Sequence, residues 1–185
     1  MKIIPALAVW LVATIPAFAQ DWQEYRDPEL GFTASFPGTP TITDTTYKTI
    51  GGTSVSAKLY ALRQDSSEFR LVVADFSNAP LQDDAAIAEA EKTLAAMGKV
   101  TVDIAARVNQ NYGRQLSVTA PDGSQSISAI FFVNHRLYQI EGITHPGENA
   151  NSANAARFQQ SLTFIGGGYG RGRGRGGFGR FRENP

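Results

Sequence analysis

Two imidazoles, His135 and His145, are the only side chains of ordinary basicity suited to proton transfer near neutral pH. A nucleophilic mechanism needs a serine held beside such a base. No G-x-S-x-G run occurs, and His135 falls in a short Asn134-His135 turn where its ring is solvated. A zinc hydrolase wants two histidines one helical turn apart, as in H-E-x-x-H, and that spacing is missing. His145 and Glu148 in "THPGEN" could share a cation, but two ligands do not complete a coordination sphere. Asp83-Asp84 reads as the start of a helix rather than a calcium site. Glu141 lies between Gln139 and Ile143 on a late strand, a mixed face that reads as an exposed carboxylate. No P-loop is present, and the C-terminal glycines open no helix, so they form no dinucleotide fingerprint. The absence of cysteine removes thiol nucleophiles, thiolate metal sites and disulfides. No catalytic residue, cofactor or metal site is expected.

The residues best suited to binding lie at the end of the chain. Arg171, Arg173, Arg175, Arg180 and Arg182 are interleaved with Gly and with Tyr169, Phe178 and Phe181. Guanidinium groups pair bidentately with phosphate, sulfate or carboxylate, and aromatic rings stack on bases or sugars. Nine of the 18 glycines lie between Gly166 and Gly179. So many glycines make ordering costly, and three aromatics cannot build a core. Residues 166–185 are therefore expected to be a disordered tail that either tethers the protein to a polyanion or only keeps it soluble.

The formal net charge of zero conceals a split. Residues 20–165 hold 11 Lys/Arg and 16 Asp/Glu, a net of −5; residues 166–185 hold five Arg and one Glu, a net of +4. An acidic body argues against nucleic-acid binding by the body itself. At the other end, Lys2, the apolar run Ile3 to Ile15 and the small-x-small Ala17-Phe18-Ala19 predict a signal peptide over residues 1–19, with the mature chain starting at Gln20. The run is shorter than the roughly 20 apolar residues of a membrane-spanning helix. No later stretch is long and apolar enough for a span. Export to a periplasm or secretion follows, and there the available polyanions are lipid phosphates, lipopolysaccharide, acidic polysaccharide and released DNA.

The elements that would position these groups can be read from periodicity. "GFTASFP" alternates Phe32, Ala34 and Phe36 against Thr33 and Ser35, a half-buried strand stopped by Pro37. "TSVSAKLYALR" and "EFRLVVADF" follow the Gly51-Gly52 turn as two long strands. A helix follows, with Ile87, Ala90, Leu94 and Met97 on one face, Asp83 or Asp84 capping its start and Gly98 its end. Four strands then run almost without pause: "KVTVDIAARV", "YGRQLSVTA", "SQSISAIFFV" and "RLYQIEGIT". Pro121-Asp122-Gly123 and Asn134-His135 are short turns, which force antiparallel pairing. "SANAARFQQSLTFI" closes the body as a short helix presenting Ala155, Phe158 and Leu162. In "FRLVVADF", Phe69, Leu71 and Val73 oppose Val72, Ala74 and Phe76; in "ISAIFFV", Ile127, Ala129 and Phe131 oppose Ile130 and Phe132. Strands apolar on both faces need cover on both faces. The expectation is an α+β three-layer α/β/α sandwich around a mainly antiparallel sheet.

Trp22 and Tyr25, "GFTASFPGTP", "RLYQI" and "ARFQQSLTF" occur in an order that resembles small exported bacterial proteins with a PsbP-like fold. PsbP itself is an extrinsic subunit of the plant oxygen-evolving complex, and the superfamily includes a Ran-binding nuclear import factor. The resemblance covers residues 21–165 and not the tail. It implies a docking or accessory role more often than an enzymatic one, carried by contact with a protein partner. It supplies no catalytic residue, and the metal sites of the plant relatives have no matching ligands in this sequence. Trp22 and Tyr25, at helical spacing, are expected to pack on the sheet rather than form a ligand platform.

Overall fold

The computed structural model describes residues 22–81, 83–147 and 150–165. In chain order the elements are β1 (Gln23–Asp27), β2 (Phe32–Phe36), β3 (Thr41–Lys48), β4 (Ser54–Gln64), β5 (Ser67–Asp75), α1 (Asp83–Ala95), β6 (Lys99–Val108), β7 (Asn111–Thr119), β8 (Gln125–Val133), β9 (Arg136–Thr144), α2 (Ser152–Gln159) and β10 (Thr163–Phe164). Seven strands form one sheet in the order β3-β4-β5-β9-β8-β7-β6, and β1-β2-β10 form a small second sheet. Every pairing is antiparallel. The chain leaves β5 in mid-sheet and crosses through α1 to the far edge. From there β6 to β9 meander back until β9 pairs with β5.

Short connections hold the meander in register. Asn134 and His135 have φ of 51° and 61°. Two successive left-handed residues are the signature of the hairpin turn that matches strand twist. At the Pro121-Asp122-Gly123 turn, Gly123 takes φ 85° and its N–H bonds to the Ala120 carbonyl at 3.0 Å.

Both faces of the large sheet are covered, as the strand patterns predict. Phe69, Leu71, Val73, Ala129, Phe131, Tyr138 and Ile140 point into one core with Phe32, Phe36, Phe158 and Phe164. Ala74, Leu116, Ile130 and Leu137 point into the other, against Ala86, Ala90 and Leu94 of α1. The covering layers are not two matched helical layers, however. One face carries α1; the other carries α2 together with the β1-β2-β10 sheet. The expected α/β/α sandwich is met in its mainly antiparallel centre and only in part in its flanks. The reason is that Phe32, Ala34 and Phe36 alternate strictly, so the opening segment can bury its apolar side only as a strand.

Other local expectations need correction. Trp22 and Tyr25 do not lie on a helix: Tyr25 is in β1, and Trp22 directly precedes it. Both nevertheless pack on the sheet, with ring centroids 5.6 Å from Phe69 and 5.4 Å from Tyr60. The closing helix stops at Gln159, so Leu162 is buried from a turn, and Thr163-Phe164 add a strand to β2. Met97 lies beyond α1 and is 42% exposed. Asp83 and Asp84 occupy the first turn of α1, where the helix dipole favours negative charge. Gly98 is required by close approach rather than by a left-handed cap, since a Cβ there would sit 2.2 Å from the Thr119 carbonyl oxygen.

Candidate functional site

Two surfaces bring together residues with chemical or binding potential. The first is a polar chain across one end of the sheet. Arg63 at the end of β4 donates to Glu68 at 2.7 Å. The other Glu68 oxygen is 3.7 Å from Arg70 Nε, and Arg70 Nη1 is 3.9 Å from Glu141 Oε2. These contacts follow from register, because Arg63 pairs with Glu68 and Arg70 with Glu141 across adjacent strands. His145, just past β9, places Nε2 3.7 Å from Glu68 and Nδ1 3.0 Å from the Ser124 hydroxyl. Ser124 in turn lies 3.0 Å from Asp122 through its hydroxyl and 2.9 Å through its N–H.

Glu141 overturns the sequence reading of an exposed carboxylate: it is only 3% exposed. Gln139 and Ile143 share its face, and that face is turned toward α1 rather than to solvent. Burial pushes its carboxyl above the ordinary glutamate range, and Arg70 and the nearby Ser128 hydroxyl only partly oppose this. Its Oε1 makes no hydrogen bond among the described residues, nor do the Ser126 and Ser128 hydroxyls. For Glu68, burial also pushes upward, but the Arg63 hydrogen bond and the charges of Arg70 and Arg63 win and hold it low. Ser124 holds Asp122 low through its N–H and hydroxyl.

A serine, an imidazole and two carboxylates thus stand in one chain, which invites comparison with nucleophilic catalysis. The geometry serves packing instead. Ser124 is 6% exposed and already shares its hydroxyl with Asp122 in the same turn. Glu68 stands too far from Nε2 to orient the ring by a hydrogen bond. His145 N–H bonds the Ser66 carbonyl at 2.7 Å, so the chain ties the β4–β5 turn to the β7–β8 turn.

The second surface is the open edge at β6. Its ladder partner is β7 on one side, and among the described residues nothing pairs with the other side. Val102 and Ile104 are exposed on the α2 face, Ile104 to 51%, while Ala106 and Val108 on the same face pack partly into the core. Asp103, Ala105 and Arg107 line the α1 face. Asp103 is bonded to Arg114, whose Nε is 3.6 Å from Glu91 of α1. Arg107 lies 5.3 Å over the ring of Tyr112, which is 69% exposed. An open groove lined by Asp84, Ile87, Glu91, Tyr112 and Arg114 runs between α1 and this edge. Edge strands of this length normally carry protection against pairing, such as charge, proline or bulges. Here β6 carries the charges of Lys99, Asp103 and Arg107 and a register shift at Thr101, between Val100 and Val102, but no proline, and Val102 and Ile104 remain exposed among them.

The sequence did not single out this edge as a site. Its signal was Val102 and Ile104 on a strand whose neighbours Thr101, Asp103 and Ala105 offer no opposing core. Of the residues it did single out, His135 lies exposed in its turn. His145 joins the polar chain, while Glu148 falls outside the described residues. No group of three potential metal ligands occurs among the described residues. Arg171, Arg173, Arg175, Arg180, Arg182, Tyr169, Phe178 and Phe181 lie outside them, as do residues 1–19. No described helix is long and apolar enough to cross a membrane.

No protein-family model matches the chain. No curated protein matches it by sequence. Among solved structures it is similar to the solution structure of a cyanobacterial PsbP, CyanoP from Synechocystis. The TM-score is 0.52 at 11% identity, over 84% of this chain and 99% of that one. The fold is therefore PsbP-like.

Proposed function

We propose that the protein is an exported accessory protein that works by docking to a protein partner rather than by catalysis, and that the β6 edge is where it docks. One observation carries this reading: a ten-residue edge strand presents Val102 and Ile104 to solvent and has a hydrogen-bonding side that no described residue pairs with. The PsbP-like fold, in a layering read as an α/β/α sandwich with one mixed flank, supports it through the docking role that the resemblance implies. The predicted signal peptide over residues 1–19 supports a periplasmic or secreted location.

The test compares the native chain with Ile104→Lys in gently extracted envelope and medium fractions. The variant side chain is exposed, so its melt should stay within about 0.5 kcal/mol of the parent. The parent should travel in an assembly larger than itself and the variant alone. Equal migration of both at the single-chain mass overturns the reading.

The tail supports a second, additive role. Its five Arg residues and three aromatics suit an anionic envelope polymer or lipid, held by charge and stacking. Binding of lipopolysaccharide vesicles by the full chain, lost on removal of residues 166–185, is the expected result. Binding that survives the truncation places the anion site on the body and refutes this role.

A further inference from the structure

We propose that the occupant of the β6 edge is a second copy of the same chain, paired antiparallel about a two-fold axis at Ala105. This rests on β6 being the docking edge and adds the identity of the partner. In a symmetric antiparallel pair, the two residue numbers facing each other have a constant sum, so the sequence of β6 decides which register is acceptable.

Centring the pair on Ala105 sets Asp103 opposite Arg107 of the partner, and Arg107 opposite the partner's Asp103. Opposite charges then face each other twice on the α1 face, with the small Ala105 pair between them. On the α2 face, Ile104 meets Ala106 and Val102 meets Val108, so the two exposed apolar side chains each gain a partly buried neighbour. Cross-strand pairs of both kinds stabilise a ladder. Centring on Asp103 instead would set that carboxylate against itself and Lys99 against Arg107, which is repulsive. Centring on Thr101 would run the ladder through the register shift between Val100 and Val102. The Ala105 register uses Val102 to Val108 and stops where the irregularity begins.

The pairing joins the two seven-stranded sheets into one continuous sheet. It also lays the charged groups Arg114 and Glu91 of each copy beside the Asp103–Arg107 pairs, because Arg114 already contacts Asp103 and Glu91. An unrelated partner strand would need its own charges at this spacing; this chain supplies them by symmetry.

The test uses sedimentation of the chain from Gln20 to Pro185, tail included. The parent should sediment at twice the single-chain mass. Asp103→Arg or Arg107→Asp alone should shift it at least tenfold toward the single chain at fixed concentration. Both changes in one chain should restore the dimer, because the pairs are reversed. The natural chain lacks cysteine, so Ala105→Cys introduces a lone thiol directly opposite its symmetry mate. Oxidation should link Ala105→Cys chains in pairs, and Ile104→Cys chains, facing Ala106, far less. A parent that sediments as a single chain overturns the proposal, as does equal linking of the two cysteine variants. If the parent is a single chain yet a probe at position 104 captures a different polypeptide in the envelope, the docking edge stands and only the self-pairing falls.

Discussion

Glu141 is the residue whose environment differs most from what its sequence neighbours suggest. An acid between Gln139 and Ile143 reads as half-wet, yet Arg70 lies over it and Ser128 beside it on a face turned toward α1. Nothing local in the sequence marks that, because Arg70 is brought opposite by a pairing of strands far apart in the chain. Its raised carboxyl has a definite consequence for stability. Between the ordinary glutamate value of 4.5 and the raised folded value, the folded chain holds more protons than the unfolded one. The contribution of this group is therefore fully present below the ordinary value and is lost as pH rises through the folded value. Glu141→Gln, which keeps the neutral form at every pH, should be more stable than the parent near about pH 8, and the gain should fade near about pH 4. Denaturant melts at both values check this. A variant less stable at the higher pH would show that the Arg70 pairing outweighs burial.

At the scale of elements, legibility tracked how much of a segment is buried. The double-faced strands β5 and β8 and the tight turns of the β6–β9 meander were readable, because two apolar faces or a positive-φ turn leave few alternatives. β3 was missed: "TITDTTYK" is exposed along nearly its whole length, so no apolar period reveals it, and its order comes from pairing with β4. The end of α2 was missed because Leu162 keeps helical spacing after the helix has stopped. A residue in the readable part gives the sharper test. Phe131 pairs with Tyr138 across β8–β9, and its ring lies 5.6 Å from Phe164 of β10. Phe131→Ala should cost about 3–5 kcal/mol in a denaturant melt. A loss below about 1 kcal/mol would mean that the small β1-β2-β10 sheet does not close over the large one as described.

For the whole molecule, the sequence divides into an acidic body and a basic tail, and the proposal is that stability resides in the first and anion binding in the second. Removing residues 166–185 should leave the melt of the body within about 0.5 kcal/mol. Five Arg set a ceiling of about five phosphate contacts, so affinity for single-stranded nucleic acid should fall with salt at a log–log slope no steeper than about −3.5. A large loss of stability on truncation would show that the tail packs on the body. The proposed docking edge lies on the body and was visible in the sequence as a strand but not as a site, since only the sheet order reveals that β6 has no second neighbour among the described residues. The most direct test of that claim places a photo-crosslinking side chain at Ile104 on β6, and at Thr43 on the opposite edge β3, in the full chain within its own cell envelope. Protein adducts are expected from position 104, whether to a second copy or to another polypeptide, and few from position 43. Adducts equally sparse at both positions, or confined to position 43, would contradict that claim.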